Sequence, residues 1–119
     1  QQDADRTVPV ITPEYPQALW LSWVETFVAK CHEQLLQSET EMAYLAGRGI
    51  DRKTVELFYL GWVNHQYHIP KNDIGLKVDQ DGKTKLWVPE GLLIPICRNG
   101  GAVHRILVRS PRAAREKFL

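Results

Sequence analysis

The chain has 119 residues, 44% of them hydrophobic and 24% charged, with a formal charge of +1. That is enough apolar material for one folded domain with a core, and it excludes a disordered chain. No apolar run reaches the length of a membrane span, and no basic-then-apolar stretch marks a secretory leader.

The near-neutral total conceals an asymmetry. From Arg98 onward the chain carries Arg98, Arg105, Arg109, Arg112, Arg115 and Lys117 against the single acid Glu116. The rest carries nine basic residues against thirteen acids. A concentrated basic end reads either as the electrostatic footprint of a phosphate-bearing partner or as a solvated tail with no partner. The two cysteines, Cys31 and Cys97, both lie among apolar neighbours. They read as buried free thiols of a protein of the reducing cytoplasm, with a disulfide between them as the alternative.

In chain order, residues 1–12 are polar around a short Val8-Pro9-Val10-Ile11 run and read as a linker or arm. Residues 13–119 read as a single domain. Tyr15-Pro16 opens a long helix, with proline tolerated in its first turn, that runs to about Gln37. Trp20, Val24, Phe27, Cys31 and Leu35 recur at helical spacing, and Trp23 and Val28 widen the stripe. That is a core-facing helix rather than an aromatic ligand box.

Two short helices follow. Ser38 with Glu41 has the capping-box spacing, and Met42, Leu45 and Ala46 share a face. Gly47 and Gly49 end this helix. Asp51 caps the next, with Val55 and Phe58 as its buried side, and Gly61 ends it. Taken alone, the pair reads either as a helix-turn-helix DNA reader or as a plain helical hairpin packed on a sheet.

After Gly61 the period changes. Trp62 to His65 start a strand, Ile69 to Leu76 hold one helical turn, and Asp79 to Lys83 form a polar turn. Lys85 to Pro89 is a short strand, with proline confining it to an end or an edge. Gly91 to Arg98 is a buried strand, Asn99-Gly100-Gly101 a hairpin turn, and Ala102 to Arg109 the return strand. In that return strand Val103 and Arg105 belong to one alternating set, and Ile106 and Val108 to the other. Strict alternation fails, so both faces are partly covered. Ser110-Pro111-Arg112 breaks the strand. The whole is α+β: N-terminal helices, one long and two short, followed by a small antiparallel or mixed β-sheet with a C-terminal hairpin.

Self-contained catalytic chemistry is missing from this pattern. Cys31-His32 and the pair His65 and His68 lack the spacing of three or four convergent zinc ligands. Gly47-Arg48-Gly49 is too short for a phosphate loop, and no nucleophile elbow occurs. Asp79 and Asp81 sit in a polar turn rather than at a rigid strand end, as two-metal chemistry requires. What remains is a set of arginines near β-structure, suited to gripping phosphate.

The run Ala43-Tyr44-Leu45-x-x-Arg48-Gly49-Ile50, followed by Val55-x-x-Phe58-x-Leu60-Gly61-Trp62, resembles bacterial and phage-type DNA primases. The matching segment there lies between the zinc-binding domain and the TOPRIM catalytic domain. Leu92-Leu93-Ile94-Pro95-Ile96, the Asn99-Gly100-Gly101 turn and the return to Arg109 are similar to the primase strand-turn-strand. Glu116-Lys117-Phe118-Leu119 is similar to the Pro-Lys-Tyr-Leu that opens the TOPRIM part. Together these matches cover roughly Trp23 to the end. The tryptophans and the W-V-P-E-G-L-L-I-P run look most like primases of phages and mobile elements.

The resemblance implies one wall of the single-stranded template groove of a DNA-directed RNA polymerase that makes primers for DNA replication. It implies a nucleotidyltransferase whose metal-binding acids, for Mg2+ or Mn2+, and whose Zn2+ ligands lie in other parts of the parent. This segment holds no cofactor and no catalytic residue of its own, and is inactive alone. The parent's partners are single-stranded DNA template and a replicative helicase, with no membrane. Arg48, Arg109 and Lys117 match positions associated with template or phosphate contact, and Arg105, Arg112 and Arg115 join them on charge. Two departures stand out. Glu90-Gly91 occupies the place where many primases carry a basic residue, and Phe118 replaces a tyrosine. The alternative functions are a helix-turn-helix DNA-binding regulator and a non-catalytic docking domain of a helicase-primase.

Overall fold

The computed structural model describes residues 7–9, 18–76, 82–98 and 101–110. Three helices stand at the front: α1 (Ala18–Leu36), α2 (Glu39–Gly47) and α3 (Arg52–Leu57). A short strand β1 (Thr7–Pro9) precedes them. Then come β2 (Gly61–Val63), β3 (Tyr67–Pro70), a 3-10 turn (Lys71–Ile74), β4 (Lys85–Val88), β5 (Gly91–Cys97) and β6 (Val103–Arg109). The architecture is α+β, as the hydrophobic periods predict.

All described strand pairings are antiparallel. One sheet has the order β1-β6-β5-β2, and β3 with β4 forms a separate two-stranded ribbon. Within the segment read as an arm, Thr7–Pro9 pairs with Arg109, Val108 and Leu107 of β6 and closes that edge of the sheet.

The helices begin where their caps are. Ser38 accepts from the Glu41 amide, and its hydroxyl donates to the Glu41 carboxylate, closing the capping box. Asp51 accepts from the Thr54 amide at 2.9 Å and from the Thr54 hydroxyl at 2.8 Å. These bonds hold its carboxyl below the usual range.

Two cores result, one on each face of the main sheet. On the inner face, Trp20, Val24, Phe27, Val28 and Cys31 of α1 pack on Val63, Leu93, Val103, Ile106 and Val108. Leu86 and Val88 from the ribbon and Ile74 from the turn complete it. Burying each such side chain contributes about 1.5–3 kcal/mol. The aromatic rings of α1 pack in sequence, Trp20 to Trp23 at 5.5 Å, Trp23 to Phe27 at 4.9 Å, and Phe27 to Tyr67 of β3 at 5.3 Å. On the outer face, Leu35, Leu45, Val55, Leu60 and Leu92 form a second, smaller core.

Four expectations need correction. Phe58 is 60% exposed rather than buried beside Val55. The helix stops at Leu57, Phe58 caps it, and Tyr59 at φ 55 turns the chain so that Leu60 enters the core instead. Cys97 is exposed at the last position of β5, where burial fades along the strand from Leu93 onward; Cys31 is buried, and both thiols are free. Asn64 and His65 lie past the end of β2, whereas Tyr67–Pro70, unmarked by alternation, pairs with β4. The irregular return strand has a single cause. Ile96 pairs with Arg105 but Cys97 pairs with Val103, so His104 is the extra residue of a bulge. The bulge returns Val103 to the inner face with Ile106 and Val108 and leaves Arg105, Leu107 and Arg109 on the outer one.

Candidate nucleic-acid interface

The outer sheet face is organised in rows, because residues directly opposite in neighbouring strands share a face. Trp62 of β2 pairs with Leu92 of β5, which pairs with Arg109 of β6. The next rows are Ile94 with Leu107 and Ile96 with Arg105. Helix α2 meets the first row, where Leu45 and Leu92 share the second core, and Ile94 of the next row packs against that core.

That packing brings the C-terminal end of α2 against the row. Gly49, at φ 87, ends the helix and lets the Ile50 amide reach back to the Leu45 carbonyl at 2.9 Å. Arg48 is the capping residue, exposed, with its guanidinium carbon 5.7 Å from the centre of the Tyr44 ring. Tyr44 meets Trp62 edge to face, with centroids 5.9 Å apart. Tyr44, Arg48, Ile50, Trp62, Leu92 and Arg109 line one small cleft. Arg109 is half-buried, and its Nε is buried without a hydrogen-bond partner among the described residues. A buried guanidinium donor left without an acceptor calls for one.

Arg48 and Arg109, read from the sequence as separate phosphate contacts, therefore meet in one place. Arg105 is exposed on the same face of the same strand, two rows away. Arg112, Arg115 and Lys117 lie outside the described residues. So do Asp79, Asp81, the Asn99-Gly100 part of the hairpin turn, Tyr15-Pro16 and all of the arm except Thr7–Pro9. Sequence reasoning missed Tyr44 and Trp62 as members of the site. Tyr44 was visible as part of the Tyr-Leu-x-x-Arg-Gly run, one helical turn before Arg48, a spacing that places the two side chains together.

Gly91 has no room for a side chain. Its φ is +146, and a Cβ there would lie 2.2 Å from the Arg109 carbonyl oxygen. No basic side chain fits at this position, because the bare backbone of Gly91 is what lets the end of β6 approach the start of β5.

In chemical terms the cleft combines two permanently charged guanidinium groups with two aromatic rings. Guanidinium groups grip phosphate, and the rings offer faces to unstacked bases, the combination used for single-stranded nucleic acid. Among the described residues no three His, Cys, Asp or Glu side chains are placed to hold a metal ion, and no helix is long and apolar enough to cross a membrane. Against known proteins, the chain matches no family model, no curated protein and no solved structure.

Proposed function

We propose that this domain binds single-stranded nucleic acid at the Arg48–Arg109 cleft, and that it serves as a wall of the template groove of a DNA primase. The observation that carries the reading is the convergence of Arg48, from the helical stretch, and Arg109, from the last strand, on one cleft beside Tyr44 and Trp62. The primase-like segments that contain these residues are separated in the sequence, and their arginines serve one surface.

On this reading the domain's own work is positional. Arg48 and Arg109 neutralise backbone phosphates without reading sequence, and Tyr44 and Trp62 hold bases apart from the duplex. Nucleotidyl transfer, its Mg2+ or Mn2+ ions and the zinc site belong to other parts of the parent protein. The residues described here do not form a set that would hold those metals, so no chemical step is assigned to them. A regulator built on α2 and α3 is less favoured, because α3 is only six residues long and its end presents Leu57 and Phe58.

The test is fluorescence anisotropy with labelled single-stranded DNA at low and moderate salt, comparing the native protein with Arg48→Ala and Arg109→Ala. Weak, salt-sensitive binding is expected. Each change should lower the slope of log affinity against log salt by about 0.7, the value for one phosphate contact on a single strand. Absence of binding at low salt overturns the template-groove reading and leaves protein docking as the better account.

A further inference from the structure

The outer sheet face does not end at the cleft. Leu107 and Ile94 make the row beyond it, both half-buried, and Arg105 with Ile96 the row beyond that. Alternation from Leu92 places Arg98, which follows β5, on this same face. Two arginines therefore stand at the hairpin end of the sheet, with Arg109 at the other end.

The bulge adds a third nitrogen group. His104, the residue it leaves unpaired in the ladder, has its Nε2 3.3 Å from Nη2 of Arg98. Guanidinium can only donate, so Nε2 accepts and the imidazole is neutral with its proton on Nδ1. That Nδ1 is buried and has no hydrogen-bond partner among the described residues. Burial first, then the charges of Arg98 and Arg105, push the His104 pKa down. Donor groups of one sign gathered beside an imidazole whose own Nδ1 proton lacks an acceptor, on a bulge that re-aims its side chain, form a receptor for an anion.

We propose that Arg98, His104 and Arg105 form a second phosphodiester-binding site, and that a single strand held at the Arg48–Arg109 cleft runs along β6 to reach it. The inference rests on the nucleic-acid reading of the first cleft. Arg109 and Arg105 are four residues apart on one strand face, a separation of about 13 Å. That is too far for one phosphate to touch both, so the two sites take different phosphates of the same strand. Between them the half-buried Ile94, Ile96 and Leu107 give an apolar floor for bases. The path has a fixed length and excludes oligonucleotides too short to span it from the second site.

Binding should be measured on oligothymidylates of about two and about ten nucleotides, the longer within the range one single-strand-binding domain covers. Arg48→Ala should weaken both lengths. Arg98→Ala and Arg105→Ala should weaken only the longer, each by about tenfold, the size of one charge-assisted hydrogen bond. Arg105→Lys keeps the charge at that position and should recover most of the loss. His104→Ala should act in the same length-dependent way. If Arg98→Ala and Arg105→Ala leave the longer oligonucleotide unaffected while Arg48→Ala weakens it, the second site is wrong and the first cleft stands. Equal losses at both lengths also overturn the path, since the groups would then belong to a single site. If Arg48→Ala changes neither length, the reading of the first cleft fails and takes this inference with it.

Discussion

The phenol ring of Tyr59 lies on the imidazole of His32, with ring centroids 4.0 Å apart and planes 25° from parallel. Beneath it, His32 Nδ1 donates to the Leu60 carbonyl at 2.7 Å. Tyr59 is the described non-glycine residue with positive φ, and it occupies the turn that closes α3, with the Leu60 amide bonded back to the Val55 carbonyl. Glycine is the usual occupant of such a turn because a Cβ there costs about 1–2 kcal/mol. The stack on His32 offsets that cost and fixes the turn that sends Leu60 into the second core.

Substitutions at Tyr59 separate the two terms. Tyr59→Ala keeps the backbone cost and loses the stack, and should destabilise by about 1 kcal/mol, the scale of an aromatic pair. Tyr59→Gly loses the stack but relieves the backbone, and should sit about 1 kcal/mol above the alanine variant. Urea unfolding of the two variants checks the order. An alanine variant as stable as the glycine one would show that the backbone at this turn carries no cost.

Gly91→Ala should be the most disruptive small change near the cleft. The added methyl group meets the Arg109 carbonyl oxygen and adjoining backbone, at a φ that side chains rarely adopt. A cost of about 2–4 kcal/mol is expected from overpacking and backbone strain together. Because the clash is with Arg109 itself, nucleic-acid affinity should fall even where the variant remains folded. Unfolding midpoints and anisotropy on the same preparation measure both effects.

At Tyr44 the ring and the hydroxyl can be told apart. Tyr44→Phe should bind single-stranded DNA nearly as well as the native protein, whereas Tyr44→Ala should lose about 1–3 kcal/mol, the value of one stacked base. Equal losses would assign the contribution to the hydroxyl and remove the stacking role.

The two thiols should differ sharply in reactivity. Cys97 is exposed, while Cys31 is buried in α1, and burial, opposed by Lys30, pushes its pKa up to about 11. A thiol-disulfide reagent near neutral pH should modify Cys97 quickly and reach Cys31 only on unfolding. The sign of the alkaline effect follows. The folded state holds its Cys31 proton more tightly than the unfolded chain, whose value is near 9.0. That contribution to stability is complete below about pH 9 and is lost as the pH rises towards about 11. Thermal unfolding across this range in native and Cys31→Ala proteins should show the extra alkaline loss only in the native chain.

Much of the framework is legible before folding is considered. The α1 stripe, the Ser38 and Asp51 caps and the apolar β5 run each carry a local period or a capping residue, and local signals of that kind survive tertiary context. Phe58 departs from its expected place because helical spacing says nothing about where a helix stops, and the stop depends on a tyrosine in a glycine's place. The β6 irregularity was visible as a conflict between Val103 and Ile106, but its resolution needs a partner strand, since a bulge exists only relative to the register of β5. The cleft was half legible. Arginines announce phosphate from composition alone, whereas the meeting of Arg48 with Arg109 is set by the order β6-β5-β2 and by α2 packing over its corner.

The division of α1 between two cores has a further consequence. Its first turns, from Trp20 to Cys31, are buried on one side of the sheet, while Leu35 belongs to the cluster on the other. One continuous rod is thereby stitched to both faces, so neither face can melt while the other persists without breaking or withdrawing that rod. The small cluster around Leu92, too slight to hold together by itself, borrows the cooperativity of the larger one. Heat should reveal this as a single transition in which the calorimetric and van't Hoff enthalpies agree, and the cleft should vanish with the fold rather than before it.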